Sequence, residues 1–257
     1  MRHTTRELRL AAALVEAADT LAEGFEPGPY LRRVSDHCVD LLAARAAGIM
    51  LVDGGETVSF STSTLRREVA LELLEAQHGG GPCLDSYSSG RPVQPVSIRV
   101  AHANARWPAF TERALRHDIA ATFAVPLRRR ETLFGALNVF VPALSADPPL
   151  CTAEVLVAQA LADAAAVGLD NHRAHTRSRT LSAQLQEALS SRVRIEQAKG
   201  MLAERWGVRA DDAFTALRRY ARRHRLPLDQ VARSVIERRL GDGELRPGGD
   251  GAAGEPF

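Results

Sequence analysis

Apolar side chains recur at three- and four-residue steps through residues 5–23, where Leu8, Ala12, Val15, Ala18 and Leu21 share one face and Gly24 marks a stop. The same period puts Leu31, Val34, Cys38, Leu41 and Leu42 on a second helix over about 29–43. Short β-like runs follow. AAGIMLV (46–52) and TVSFST (57–62) read as strands joined through Asp53-Gly54-Gly55, a hairpin with a short glycine-containing loop. Leu65, Val69, Leu73 and Leu74 predict a helix over 64–78, which GGGPC (79–83) breaks. RPVQPVSI (91–98) is extended, and Pro92 and Pro95 confine it to an edge or irregular strand. A short helix near 108–117 precedes two more strands, ATFAVPL (121–127) and LFGALNVFV (133–141), with a turn at Arg128–Glu131. Five or six strands with helices between them and at both ends predict an α+β sheet domain.

Beyond Pro149 the pattern is wholly helical, and no proline occurs until Pro227. Val155, Ala158, Ala162, Ala165 and Leu169 form one stripe, and Leu181, Leu185, Ala188, Ile195 and Leu202 continue it. Residues 152–206 therefore read either as one helix, roughly 80 Å long at 1.5 Å per residue, or as two helices hinged near 170–180. A helix of that length is stable only where its apolar stripe is covered, which predicts coiled-coil pairing of part of it with another chain. Two shorter helices follow. One is capped by Asp211 or Asp212 and runs to about His224, with Phe214, Leu217, Tyr220 and Ala221 inward. The other spans about 228–239 and uses Val231, Ala232, Val235 and Ile236. Residues 241–257 hold six glycines and two prolines, which predicts a disordered tail.

Charge separates the chain further. The net charge of +2 hides an uneven distribution: residues 170–240 carry 16 basic against 8 acidic side chains, while the flanking segments are each net acidic. Such asymmetry marks a module for polyanions. Three widely spaced cysteines, Cys38, Cys83 and Cys151, fit neither a disulfide framework nor a four-ligand zinc site. No apolar run reaches the roughly 18 residues that a membrane span needs, and the N-terminus lacks the apolar core of a signal peptide. A cytoplasmic protein with no membrane partner is expected. There is no nucleophile–base constellation, paired-carboxylate motif or metal spacing, so no catalytic or metal-binding residue is assigned and no cofactor is expected.

The stretch 185–237 contains Arg192 followed by IEQAKGML (195–202), then DDAFTALRRYA (211–221) and LDQVA (228–232). In these residues and their spacing it resembles the ANTAR domain of transcription antitermination regulators. The resemblance implies a dimeric three-helix RNA-binding module over 180–240 that recognises paired hairpin loops in a transcript leader. A bundle of this size has a small core, which Ile195, Leu202, Phe214, Leu217, Val231 and Val235 would fill, leaving a cationic exterior. Arg218, Arg222 and Arg225 stand at i, i+4 and i+7, with Arg219 and Arg223 in a second row, and such rows neutralise phosphates. Lys199 is the only lysine beside 32 arginines; it either contacts RNA or serves an intramolecular role. Gly200 costs about 1 kcal/mol inside a helix, a cost that close approach of a neighbouring helix or of RNA would explain. The candidate RNA-binding residues are thus Arg192, Arg194, Lys199, Gly200, Arg218, Arg219, Arg222 and Arg223.

Residues 28–170 are similar to a GAF domain, a sensor fold with an antiparallel sheet flanked by helices. GPCLDSYSSGRPV (81–93), RWPAF (106–110) and AVPLRRRETLFGALNVF (124–140) carry the similarity, with Gly135 providing close packing. Where the family often has a glycine before a strand, this chain has His117-Asp118-Ile119. The implied pocket lies between the sheet and segment 64–98, for a small-molecule or redox signal, with Cys83 as a ligand or redox thiol or as a packed thiol. A phosphoacceptor receiver domain is excluded, because its site needs a strand-end lysine and none precedes Lys199. The expected organisation is a sensor over 1–170, a helical or coiled-coil connector over 171–190, the ANTAR-like bundle over 180–240 and the tail over 241–257. A protein-interaction sensor without RNA, or a DNA-binding regulator, stand as alternatives to antitermination.

Overall fold

A computed structural model describes residues 2–18, 25–142 and 152–246. Residues 19–24 of the first expected helix and its stop, Cys151, and the tail from 247 onward lie outside the described residues. Two compact units emerge, Met1–Thr176 and Arg177–Phe257, and the division falls within the segment expected to connect them.

In the first unit, helices α1 (Arg2–Ala18) and α2 (Pro27–Leu42) precede the hairpin of β1 (Ala46–Asp53) and β2 (Glu56–Thr62). Asp53 pairs with Glu56, so the loop is Gly54-Gly55 alone. Both glycines have positive φ, +60° and +89°, as a two-residue hairpin turn demands. Helix α3 (Arg67–Glu75) ends in a 3-10 helix (Ala76–Gly79), followed by α4 (Pro82–Ser89), β3 (Val93–Ser97), α5 (Ile98–Ala103) and α6 (Pro108–Arg116). Strands β4 (Ala121–Arg129) and β5 (Thr132–Val141) complete a five-stranded antiparallel sheet of order β2-β1-β5-β4-β3. The proline-bearing β3 is an edge strand, as expected. The β4–β5 turn is tighter than the sequence suggests: Arg129 pairs with Thr132, leaving Arg130-Glu131, with Arg130 at φ 53°.

Helices α4 and α5 were not expected. Pro82 and its polar successors look like a turn, yet proline suits the first turn of a helix, where its missing N–H is not needed. The turn before β4 is made by Asp118 at φ 54°, a left-handed conformation that a short polar side chain tolerates better than most. Gly135 is required by close approach, since a Cβ there would overlap the Met50 carbonyl oxygen of the adjacent β1.

The sheet has two covered faces. Alternate residues of β4 and β5 (Ala121, Phe123, Val125, Leu137, Val139) bury against Leu31, Val34 and Cys38 of α2 and against the start of α7 (Thr152–Trp206) through Ala158, Leu161, Ala162 and Ala165. Tyr30 Oη donates to the Ala17 carbonyl at 2.6 Å, tying α2 to α1. Two smaller clusters cover the opposite face. One gathers Leu73, Ile98, Trp107, Phe110 and Phe140; the other gathers Met50, Val52, Leu74, Cys83 and Ala136.

The second unit is built on the last part of α7, with α8 (Ala210–His224), α9 (Leu228–Ile236) and a short α10 (Asp242–Leu245). Its core consists of Ala198 and Leu202 from α7, Ala213, Leu217 and Ala221 from α8, and Val231, Ala232 and Val235 from α9. Two expectations need correction. Arg209, not Asp211 or Asp212, occupies the N-cap of α8, and the two aspartates lie in the first turn, where they complement the helix dipole. The disorder expected from residue 241 starts too early, because Leu245 is buried in the core at 2% exposure and Asp242 pairs with Arg205 at 2.9 Å. Within α7 every residue from 173 to 190 is exposed, including Leu181, Leu185 and Leu189.

Candidate nucleic-acid interface

The cations proposed from sequence fall into two groups. Arg194 belongs to the first. Its Nε donates to Asp229 Oδ1 at 2.6 Å and its Nη2 to Asp229 Oδ2 at 3.0 Å and to Glu187 Oε1 at 2.8 Å. This planar two-pronged grip fastens α7 to the first turn of α9. Three of its donors are committed internally, so Arg194 acts as a clamp and not as an open contact. The Arg194 guanidinium holds the Asp229 carboxyl below its ordinary value, chiefly through the hydrogen bond itself. Lys199 pairs with Glu196 one turn earlier on α7 and is half-buried, which is the intramolecular role left open above. Arg219 Nη2 donates to the Leu245 carbonyl at 3.2 Å and so helps to seat α10.

The second group is open. Arg192 on α7 and Arg218, Arg222 and Arg223 on α8 are exposed and form no ion pair among the described residues. Arg222 and Arg223 lie in the last turn of α8, where a cation meets the negative end of the helix dipole. Arg218 lies a turn earlier, beyond that influence. Gly200 is exposed, and nothing lies within 4 Å of a Cβ built there. Close packing by a neighbouring helix of this chain therefore does not explain that glycine.

Phe214, expected in the core, stands at its edge. Successive residues of a helix are about 100° apart, and Ala213, Leu217 and Ala221 take the inward arc with Tyr220 packed beside them. Phe214 is half-buried outside that cluster, and the Arg218 guanidinium carbon lies 5.7 Å from its ring centroid. Sequence reasoning missed Asp229 and Glu187 as partners of Arg194. The seven-residue step from Glu187 to Arg194 was a readable signal, since it keeps both on one helix face, whereas Asp229 lies 35 residues away.

In the first unit Cys83 is fully buried among Met50, Val52, Leu74 and Ala136. Its amide donates to Gln77 Oε1 at 2.8 Å, and burial pushes its thiol well above the ordinary range. A buried thiol of raised pKa is a poor nucleophile and ligand, so of the two readings open for Cys83, ligand or redox thiol and packed thiol, its surroundings favour the packed one. Near segment 64–98 an open groove of about 630 Å³ instead lies along α4 and β3, lined by Asp85, Ser89, Val93, Gln94 and Arg106 among others. Arg106 and the Trp107 indole N–H both donate to Asp85 at 3.2 Å. No helix of the described residues is long and apolar enough to cross a membrane.

Comparison with known proteins places both units. The model of the ANTAR domain matches residues 183–236 and that of the GAF domain matches residues 30–170, more than half of the chain. Similar solved structures include a free methionine-R-sulfoxide reductase from Neisseria meningitidis in complex with its substrate, at 15% identity over 68% of this chain and 94% of that one, with TM-score 0.47. Others are the GAF domain of a phosphoenolpyruvate-protein phosphotransferase from Coxiella burnetii (15% identity, 66% and 98% covered, TM-score 0.46) and that of a sensor histidine kinase from Pseudomonas syringae pv. tomato (18%, 72% and 97%, 0.42). With its sheet domain followed by a long helix and a basic helical bundle, the chain belongs to the GAF–ANTAR family of sensor-coupled regulators.

Proposed function

We propose that this protein is a signal-responsive, non-enzymatic transcription antitermination regulator that binds hairpin loops in nascent RNA through its ANTAR domain, with the GAF domain as sensor. The observation that carries the reading is the exposed set Arg218, Arg222 and Arg223 on α8, without carboxylate partners among the described residues, in a unit whose core is already closed by Ala213, Leu217 and Val235. Unpaired cations on a rigid helix suit a phosphate backbone, and hairpin loops are where RNA sequence is accessible. Arg192 and Gly200 extend the candidate surface on α7, Lys199 contributes charge from its ion pair, and Arg194 and Arg219 support the helices that carry them.

The exposed stretch of α7 supports a homodimer. Most of a helix's stability in a protein comes from packing of its apolar face, and on this stretch Leu181, Leu185, Leu189 and Val193 form an uncovered apolar row at four-residue steps, each more than half exposed. A second copy in a coiled coil would cover it, and a signal at the GAF domain, such as a small molecule in the α4–β3 groove, would act by changing that pairing. The location is cytoplasmic, beside nascent transcripts.

Crosslinking of RNA to the full-length chain in cells, followed by affinity measurements on the enriched leaders at moderate salt, tests the reading. Leaders that lose binding when their loops are scrambled are expected. Equal affinity for scrambled loops sinks the sequence-specific reading, and equal competition by duplex DNA favours a DNA-binding regulator.

A further inference from the structure

Phe214 poses a question that the core does not answer. Of the two aromatic residues on α8, Tyr220 packs against the core and Phe214 does not. A phenyl ring on the flank of a helix gains only a weak attraction from an exposed cation above it, little return for leaving part of its apolar surface in water. Yet Phe214, Arg218 and Arg222 stand at i, i+4 and i+8, one above another along one flank. The guanidinium of Arg218 lies over the ring, and neither arginine has an ion-pair partner among the described residues.

We propose that Phe214 and Arg218 form a composite stacking platform for one unpaired base of an RNA loop, with Arg222 on the adjoining phosphate. The proposal rests on the RNA-binding reading above and names the residues that would read the loop. Every base has a π-face, but only an unpaired base can offer it to a side chain, so an aromatic platform selects single-stranded loops over duplexes. The planar guanidinium both stacks and donates in a fixed fork to a base edge. One flank of α8 would thus hold a stacking element and a phosphate contact a single helical turn apart. An acidic peptide would satisfy the arginines but leave the ring without a stacking partner.

The test uses the full-length chain and one RNA selected by it from a pool of two-hairpin RNAs with randomised loops. 2-Aminopurine is placed at each loop position in turn. Binding should quench one loop position. Phe214→Leu should remove that quench and weaken binding by about 5- to 150-fold, the range for loss of one stacked base, with the salt dependence unchanged. Phe214→Tyr should restore both. Arg222→Ala should lower the slope of log affinity against log salt by about one. Circular dichroism of Phe214→Leu should match the wild type, because the ring lies outside the core. Wild-type affinity and quenching in Phe214→Leu would overturn the platform while leaving RNA binding intact. A pool that yields no binder would overturn both, and duplex DNA competing as well as the selected RNA would overturn the platform, since paired bases expose no face.

Discussion

Arg194 on α7 holds Asp229 at the start of α9 through two parallel hydrogen bonds, 2.6 and 3.0 Å long, while its remaining reach goes to Glu187 at 2.8 Å. A residue inside the ANTAR domain is thereby engaged in keeping two helices in register. Arg194→Ala or Asp229→Asn should lower the unfolding midpoint of the second unit by a few degrees, and RNA affinity should fall only as far as the folded fraction falls. A loss of affinity at temperatures where the variant is fully folded would make Arg194 a direct contact instead.

The same pair gives a pH dependence with a definite sign. The folded-state Asp229 carboxyl titrates below its ordinary value, so the stabilisation is complete above the unfolded aspartate pKa near 3.9 and is lost as pH falls through the lower folded value. Thermal unfolding followed by circular dichroism should show wild type a few degrees above Asp229→Asn at pH 6, with the gap narrowing below about pH 4. A gap that stays constant into acid would remove the ion pair from the explanation.

Gly200 separates folding from binding. Nothing obstructs a methyl group there, and the residue is helical and exposed, so Gly200→Ala should stabilise the chain by up to about 1 kcal/mol. If RNA approaches the helix at this point, the same variant should bind the selected RNA more weakly. Stability and affinity rising together would show that the glycine serves neither purpose.

Both described cysteines are buried, and burial pushes the Cys38 thiol up to about 12. A thiol-specific reagent should therefore label Cys38 and Cys83 of the native chain only as fast as the domain opens, and quickly in denaturant. Rapid native labelling of Cys83 would restore its place as a redox candidate.

Leu185 sits in the middle of the exposed α7 row at 57% exposure. Leu185→Glu should convert a dimer to a monomer in sedimentation, with the helix content of the GAF and ANTAR units retained. A wild-type chain that sediments as a monomer at tens of micromolar concentration would remove the coiled coil from the mechanism.

The order and type of most elements were legible because each rests on local physics. Short β-like runs bounded by turn residues marked β1, β2, β4 and β5, and the 3.6-residue period marked α2, α8 and α9. Gly135 was legible as a close-packing position, and the overlap with the Met50 carbonyl explains why. Helices α4 and α5 were not legible, since eight and six residues carry too little of a helical stripe to stand out from a turn.

The sequence by itself determined two domains, their order and the cationic character of the second, because these follow from hydrophobic period, charge count and a motif spread over three consecutive helices. Only the tertiary structure decided what the individual side chains do. It set Arg194 against a carboxylate 35 residues away, enclosed Cys83 behind Leu74 and Met50, and moved Phe214 out of the core beneath Arg218. The reason is geometric: period assigns a residue to a face of its own helix, but whether that face meets a carboxylate, a core or water depends on the other elements packed around it.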